Sequence, residues 1–200
     1  MDGVDVGGQG AGGLVDLPGA GIQLPPCRDV PVVVEVLDAQ ARGELPLRIT
    51  HNDTKIDNVL FDSDSGEVVC IVDLDTVMPG LVHYDFGDMV RTLTSPANED
   101  ERDLTKVTMR LEYFEELAKG YFAEASGFLS QAERGHLAIS GKVITLILGI
   151  RFLTDHLNGD TYFRVHRDGQ NLDRARVQFK LVESMLEQEE AMKSFIAALG

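Results

Sequence analysis

The spacing of apolar and polar residues divides the chain into a strand-bearing front and a helical rear. Residues 59–62 and 67–73 are short apolar runs on either side of Ser63-Asp64-Ser65-Gly66, a pattern that predicts a β-hairpin. Residues 45–50 read as a short strand running into His51, and residues 30–42 as one helix despite the β-branched run within it. Beyond Pro79 the apolar positions recur at helical spacing and predict helices over 85–94, 107–125, 130–157 and 170–197. Gly159 and Asp160 punctuate the last two. The expected fold class is α+β, a few short strands and hairpins beside a mainly helical body.

Composition refines this picture at the N-terminus. Residues 1–28 are dominated by glycine, with a Pro25-Pro26 pair, and cannot bury enough apolar surface to offset their backbone entropy. They are expected to be a flexible tail, leaving residues 29–200 as the folded unit. Within that tail Gly8 to Gly13 fits a dinucleotide-type glycine pattern on paper, but no strand pattern precedes it and no helix pattern follows. The net charge of −15 argues against nucleic acid or an anionic membrane surface as partner. Cys27 and Cys70 form neither a disulfide framework nor a zinc spacing, which suits a reducing cytoplasm. No basic residue precedes Arg28, so no signal-peptide pattern opens the chain, and the apolar stretch 143–150 is too short to span a bilayer.

Candidate chemistry is concentrated in residues 49–75. Phosphoryl transfer asks little covalent help of a protein. It needs a carboxylate to orient and deprotonate the attacking hydroxyl, a cation at the phosphates, and oxygen ligands for Mg²⁺. Asp53 is the candidate base and Lys55 the candidate cation. Asn58, five residues after Asp53, offers a carbonyl oxygen to a metal, and Asp73 follows across the hairpin as its charged ligand, with Asp75 close enough to assist.

His51-Asn52-Asp53-Thr54-Lys55-Ile56-Asp57-Asn58 fits the kinase-type pattern H-x-D-x-x-x-x-N, and Val72-Asp73-Leu74-Asp75 fits the metal-binding strand that follows it. Together with Tyr84-Asp85-Phe86-Gly87-Asp88, these motifs resemble the aminoglycoside-phosphotransferase superfamily, and within it the N-acetylhexosamine 1-kinases. The likeness extends from about Leu45 to Gln188 and includes the segments around Arg151, Gly159, Tyr162 and Asn171. It implies a protein-kinase-like large C-terminal lobe with its catalytic loop and metal site at 49–75 and its helical body at 85–197. It also implies ATP as donor, Mg²⁺, and a small-molecule sugar as acceptor. By this resemblance Asp53 is the catalytic aspartate, Asn58 and Asp73 are magnesium ligands, and Arg151 and Tyr162 are sugar contacts. His51 is expected to brace the loop. Asp85-Phe86-Gly87 spells a metal-binding triplet but comes too late after Asn58, so Asp85 is expected to cap a helix and support the loop.

Several features have plainer readings. The Asp62 to Glu67 segment lacks the closing glutamate of a calcium loop and reads as a hairpin turn, while Glu187 to Glu190 reads as a solvated helix face. The first lysine is Lys55, so the lysine-bearing nucleotide lobe of such kinases is expected to be absent. That expectation carries three others: an apolar face left uncovered, association with a separately encoded lobe or a second copy, and, as the alternative function, a non-catalytic remnant that binds a sugar or a protein.

Overall fold

The computed structural model describes residues 15–17, 22–24 and 30–200. Of the expected tail it describes only two paired strands, β1 (Val15–Leu17) and β2 (Ile22–Leu24). The rest of that stretch, with its glycine pattern and Cys27, lies outside the described residues. The body is mostly helical with few short strands, an α+β arrangement as expected. In order it runs α1 (Val30–Ala41), β3 (Arg48–Thr50), β4 (Val59–Phe61), β5 (Val68–Ile71), β6 (Met78–Gly80), α2 (Val82–Leu93), α3 (Leu111–Ala125), α4 (Gln131–Leu157), α5 (Gln170–Glu187) and α6 (Glu189–Leu199).

Helix α4 is the axis of the body, with α2, α5, α6 and α1 packed around it. Its start is fixed by a capping box. Ser130 Oγ accepts from the Glu133 backbone N–H, and the Glu133 carboxylate accepts from that of Ser130. Of the helices in the described residues, α4 alone is long and apolar enough to cross a membrane, but two-thirds of its apolar window is buried inside the protein (67%), as befits a core helix. Where α2 crosses it, glycine lets the backbones touch: a Cβ on Gly87 would lie 2.5 Å from the Ser140 carbonyl oxygen. Phe86, Val90, Phe114, Leu137, Leu181 and Met185 close the main core around that crossing.

Four element boundaries differ from the sequence reading. Strand β3 begins at Arg48 rather than residue 45, because Pro46 has no N–H to give a ladder. Helix α2 begins at Val82, not residue 85, so Asp85 lies inside its first turn and is not its cap. Helix α3 begins at Leu111 rather than 107: the Met109 N–H is taken by Ser184 Oγ (2.9 Å) and that of Arg110 by the Thr94 carbonyl (3.1 Å). The expected helix 170–197 is two helices, broken at Gln188, whose side chain reaches the Met109 carbonyl (2.7 Å). At that break Glu189 pairs with the buried Lys142 of α4, so this part of the acidic run is a structural ion pair rather than a solvated face.

The β4–β5 hairpin forms as expected, and Asp62 closes its turn by accepting from the backbone N–H groups of Asp64 and Ser65. A second pairing, β3 with β6, was not anticipated. It brings Thr50 beside Met78 and so sets the loop after β3 against the strand that follows residues 72–75. Leu60, Phe61, Val68, Val69 and Ile71 of the hairpin are exposed, an apolar surface outside the core.

Candidate active site

The loop after β3 is held by its own side chains and by two distant elements. Asn52 adopts the left-handed conformation (φ 64°), tolerable for Asn, and its amide donates to the Thr50 and Thr76 carbonyls. The Asp85 carboxylate accepts the backbone N–H of His51 at 2.8 Å on one oxygen and that of Asn52 at 2.7 Å on the other. Thr54 Oγ returns a bond to the Asp85 carbonyl (2.6 Å). His51 Nε2 sits 3.1 Å from the Val72 carbonyl, which ties the loop to the residue before Asp73. Arg48, at the head of the loop, makes a two-pronged ion pair with Glu133 (2.6 and 2.8 Å) and so anchors β3 to the start of α4. The expected support by His51 and Asp85 thus corresponds to particular bonds, and for Asp85 they are bonds to the loop rather than to a helix end.

Asp53 lies at the centre of this frame. Its Oδ2 accepts from Lys55 Nζ (2.6 Å) and from Asn58 Nδ2 (2.9 Å), and the same Asn58 amide also donates to the Asp53 carbonyl (2.8 Å). Burial works against both charges, but their mutual contact prevails. Asp53 is held below the usual carboxylate range by its bonds from Lys55 and Asn58, and Lys55 is raised above the usual ammonium range by Asp53. Asp53 is therefore ionised at neutral pH.

Asp73 takes the left-handed conformation (φ 62°, ψ 55°) at the start of a 3-10 turn, Leu74–Thr76. Its carboxyl is raised above the usual range, chiefly by its hydrogen bond with Asp75 and then by the neighbouring charge. Among the described residues no three His, Cys, Asp or Glu side chains converge as a self-sufficient metal cage.

A cleft of about 960 Å³ opens beside Asp53, bounded by the catalytic loop, α2, the 95–99 loop, α4, residues 163–164 and α5. Lys55 and, from α4, Arg151 line the same cleft, so the structure brings three expected site residues together. Tyr162 does not line it. It is 75% exposed and borders the cleft through Phe163, whose ring lies 4.8 Å away, and through Arg151, whose guanidinium lies 3.4 Å from its hydroxyl and 5.6 Å from its ring centroid. The loop bearing Tyr162 is tied down by Asp155, one helical turn after Arg151. Its carboxylate accepts the backbone N–H groups of Thr161, Tyr162 and Phe163 at 2.8–2.9 Å. Burial opposes this charge, but those bonds hold its carboxyl below the usual range.

Sequence reasoning missed the far wall of the cleft. Glu99 lies between Arg91 of α2 (3.3 Å) and Arg174 of α5 (3.3 Å), and Arg91 also pairs with Asp88 (2.8 Å). No local pattern announces the pairs that Glu99 makes with α2 and α5. The only signal was the Asn171 to Arg174 segment, noted for its likeness and given no role.

An independent comparison covers this loop. The model of the phosphotransferase enzyme family matches residues 17–125, which include β3, the loop bearing Asp53, residues 72–75, α2 and α3, while Arg151 and Tyr162 lie beyond the match. Covering more than half of the chain and all of the loop that frames Asp53, the match shows that this chain belongs to the phosphotransferase enzyme family.

Proposed function

We propose that the chain forms the acceptor side of an ATP- and Mg²⁺-dependent kinase that phosphorylates a hydroxyl of a small molecule, with the anomeric hydroxyl of an N-acetylhexosamine as the acceptor. One observation carries this reading: an ionised Asp53, fixed by Lys55 and Asn58, lines a cleft broad enough for a small organic ligand. There the carboxylate would accept a hydrogen bond from the attacking hydroxyl, orient its lone pair and take its proton as the bond to phosphorus forms. Lys55, close enough to the Asp53 carboxylate to bond it, would serve the transferred phosphoryl group. Arg151 and the adjacent Tyr162 would face the acceptor.

The donor set suits magnesium. Asn58 spends its amide N–H groups on Asp53, which leaves its carbonyl oxygen free as a ligand. Asp73 and Asp75 crowd one another, a repulsion that a divalent cation would relieve. Magnesium prefers a few protein oxygens and completes its shell with phosphate and water. When bound, it would neutralise charge on the transferred phosphoryl group.

The net charge of −15 supports a small-molecule partner over nucleic acid or an anionic membrane, and we place the reaction in the cytoplasm. The exposed apolar hairpin supports a nucleotide-binding lobe, or a second copy, covering that face in the working enzyme. The same hairpin favours the second reading, a non-catalytic chain that binds a sugar or a protein partner. Calorimetry with ATP and Mg²⁺ separates the two, since no binding leaves only the second. Asp53→Asn should lower transfer from labelled ATP to N-acetylglucosamine by ~10²–10⁴-fold. Undiminished turnover in that variant removes Asp53 from its role.

A further inference from the structure

Helix α5 presents Arg174, Val177, Gln178 and Leu181 to the cleft, the spacing of one helical face. Gln178 is unlike its neighbours. It is only 2% exposed, it makes no hydrogen bond among the described residues, and its Oε1 is buried without a partner. A buried amide left in that state is destabilising, and native proteins keep few of them unless a ligand or an ordered water completes the bonds. Leucine or methionine would fill the same space at no such penalty. Its place on the cleft wall supplies the ligand explanation.

The charges around it say which kind of ligand. Among residues that line the cleft, Asp88 and Glu99 are already held by Arg91 and Arg174, and Asp53 is held by Lys55. Arg151 and Arg164 line the cleft with no carboxylate within ion-pair distance among the described residues, whereas Asp57 is the sole unpaired acid. A polycationic acceptor would need several unpaired carboxylates and would meet guanidinium groups without a counter-charge instead. A neutral, polyhydroxylated acceptor faces no such cost, and its hydroxyl or amide N–H groups are what an unpartnered amide oxygen lacks.

We propose that Gln178 is a specificity-determining contact of the acceptor site, reading a hydroxyl or amide of a neutral polyol-type acceptor, beside the unpaired Arg151 and Arg164 that select against polycationic aminoglycosides. This rests on the reading of the cleft as the acceptor site, but its test does not need catalysis. Calorimetry without nucleotide on the full chain would compare N-acetylglucosamine, its β-linked disaccharide and kanamycin, for wild type, Gln178→Leu and Gln178→Met. At least one neutral sugar should bind the wild type, and both variants should weaken that binding by about tenfold or more, because a polar group of the bound sugar then loses its hydrogen-bond partner. Kanamycin should bind more weakly than the sugars. Thermal unfolding of both variants should occur at or above the wild-type temperature, because each removes an unpartnered amide.

Equal sugar affinity in wild type and variants would make Gln178 a hydrated bystander and overturn the proposal. So would tightest binding of kanamycin, or no sugar binding at all. Sugar binding that depends on Gln178 without any phosphoryl transfer would instead sink the kinase reading and leave this one standing.

Discussion

Replacing Asp85 by asparagine changes one atom and should loosen the catalytic loop. Both carboxylate oxygens are engaged, one by the His51 N–H at 2.8 Å and one by the Asn52 N–H at 2.7 Å. An asparagine has the same shape but only one acceptor, so in either orientation its NH₂ group faces a backbone donor. One bond survives in a neutral, weaker form, and one backbone N–H is left facing another donor. A hydrogen bond to a charged group is worth about 1.5–3 kcal/mol, and an unsatisfied buried donor costs about 1–3 kcal/mol. Partial exposure of the loop lets water recover some of this, so a net loss of about 3 kcal/mol is expected. At about 1.4 kcal/mol per factor of ten, the protection of the His51 and Asn52 amides from hydrogen exchange should fall roughly a hundredfold. Exchange measured by NMR reports this directly and needs no activity. Unchanged protection at both amides would refute the reasoning. If it came with a raised Mg²⁺ requirement, Asp85 would be acting as a metal ligand, as its Asp-Phe-Gly spelling suggests.

Two further predictions concern packing and pH. Gly87→Ala should destabilise the protein by ~1–3 kcal/mol, because the new methyl meets the Ser140 backbone and the crossing helices must part. Gly135→Ala, in α4 but with open space around it, should instead stabilise by about 0.5–1 kcal/mol, and thermal unfolding of the two variants tests the contrast. Asp155, whose folded carboxyl titrates below its unfolded value, contributes stability that is present above the unfolded carboxylate range and is lost as pH falls through the folded value. Exchange protection at Thr161 to Phe163 should therefore persist at pH 5, decay in strongly acidic solution, and be low at every pH in Asp155→Asn; a wild-type loop indifferent to acid would contradict this.

What the sequence disclosed follows from the range of the interactions involved. Helix α4 was legible because its periodicity and its Ser130/Glu133 capping box are local, and the β4–β5 hairpin because its turn chemistry lies within six residues. The β3–β6 pairing joins strands of three residues with the hairpin between them, and no short-range pattern encodes it. The break at Gln188 was invisible because helical periodicity continues across it, and only contact with Met109 makes the interruption favourable. The site divides in the same way. Asp53, Lys55 and Asn58 fall within one motif, whereas Glu99, Arg174 and Gln178 reach the cleft from a loop and a helix that only the fold brings together. Asp85 stood in plain view, but its bonds to residues 51 and 52 could be assigned only in three dimensions.

The left-handed backbone at Asp73 bears on how such a protein could lose its activity. Most side chains are strained at φ 62°, while aspartate, asparagine and glycine are tolerated there. A single change to asparagine or glycine would thus remove the charged oxygen without disturbing the turn, the hairpin before it or the helix after it. On the metal role proposed for Asp73, decay into a folded, inert relative is a single step from this sequence, and folding stability would offer selection no means of detecting it.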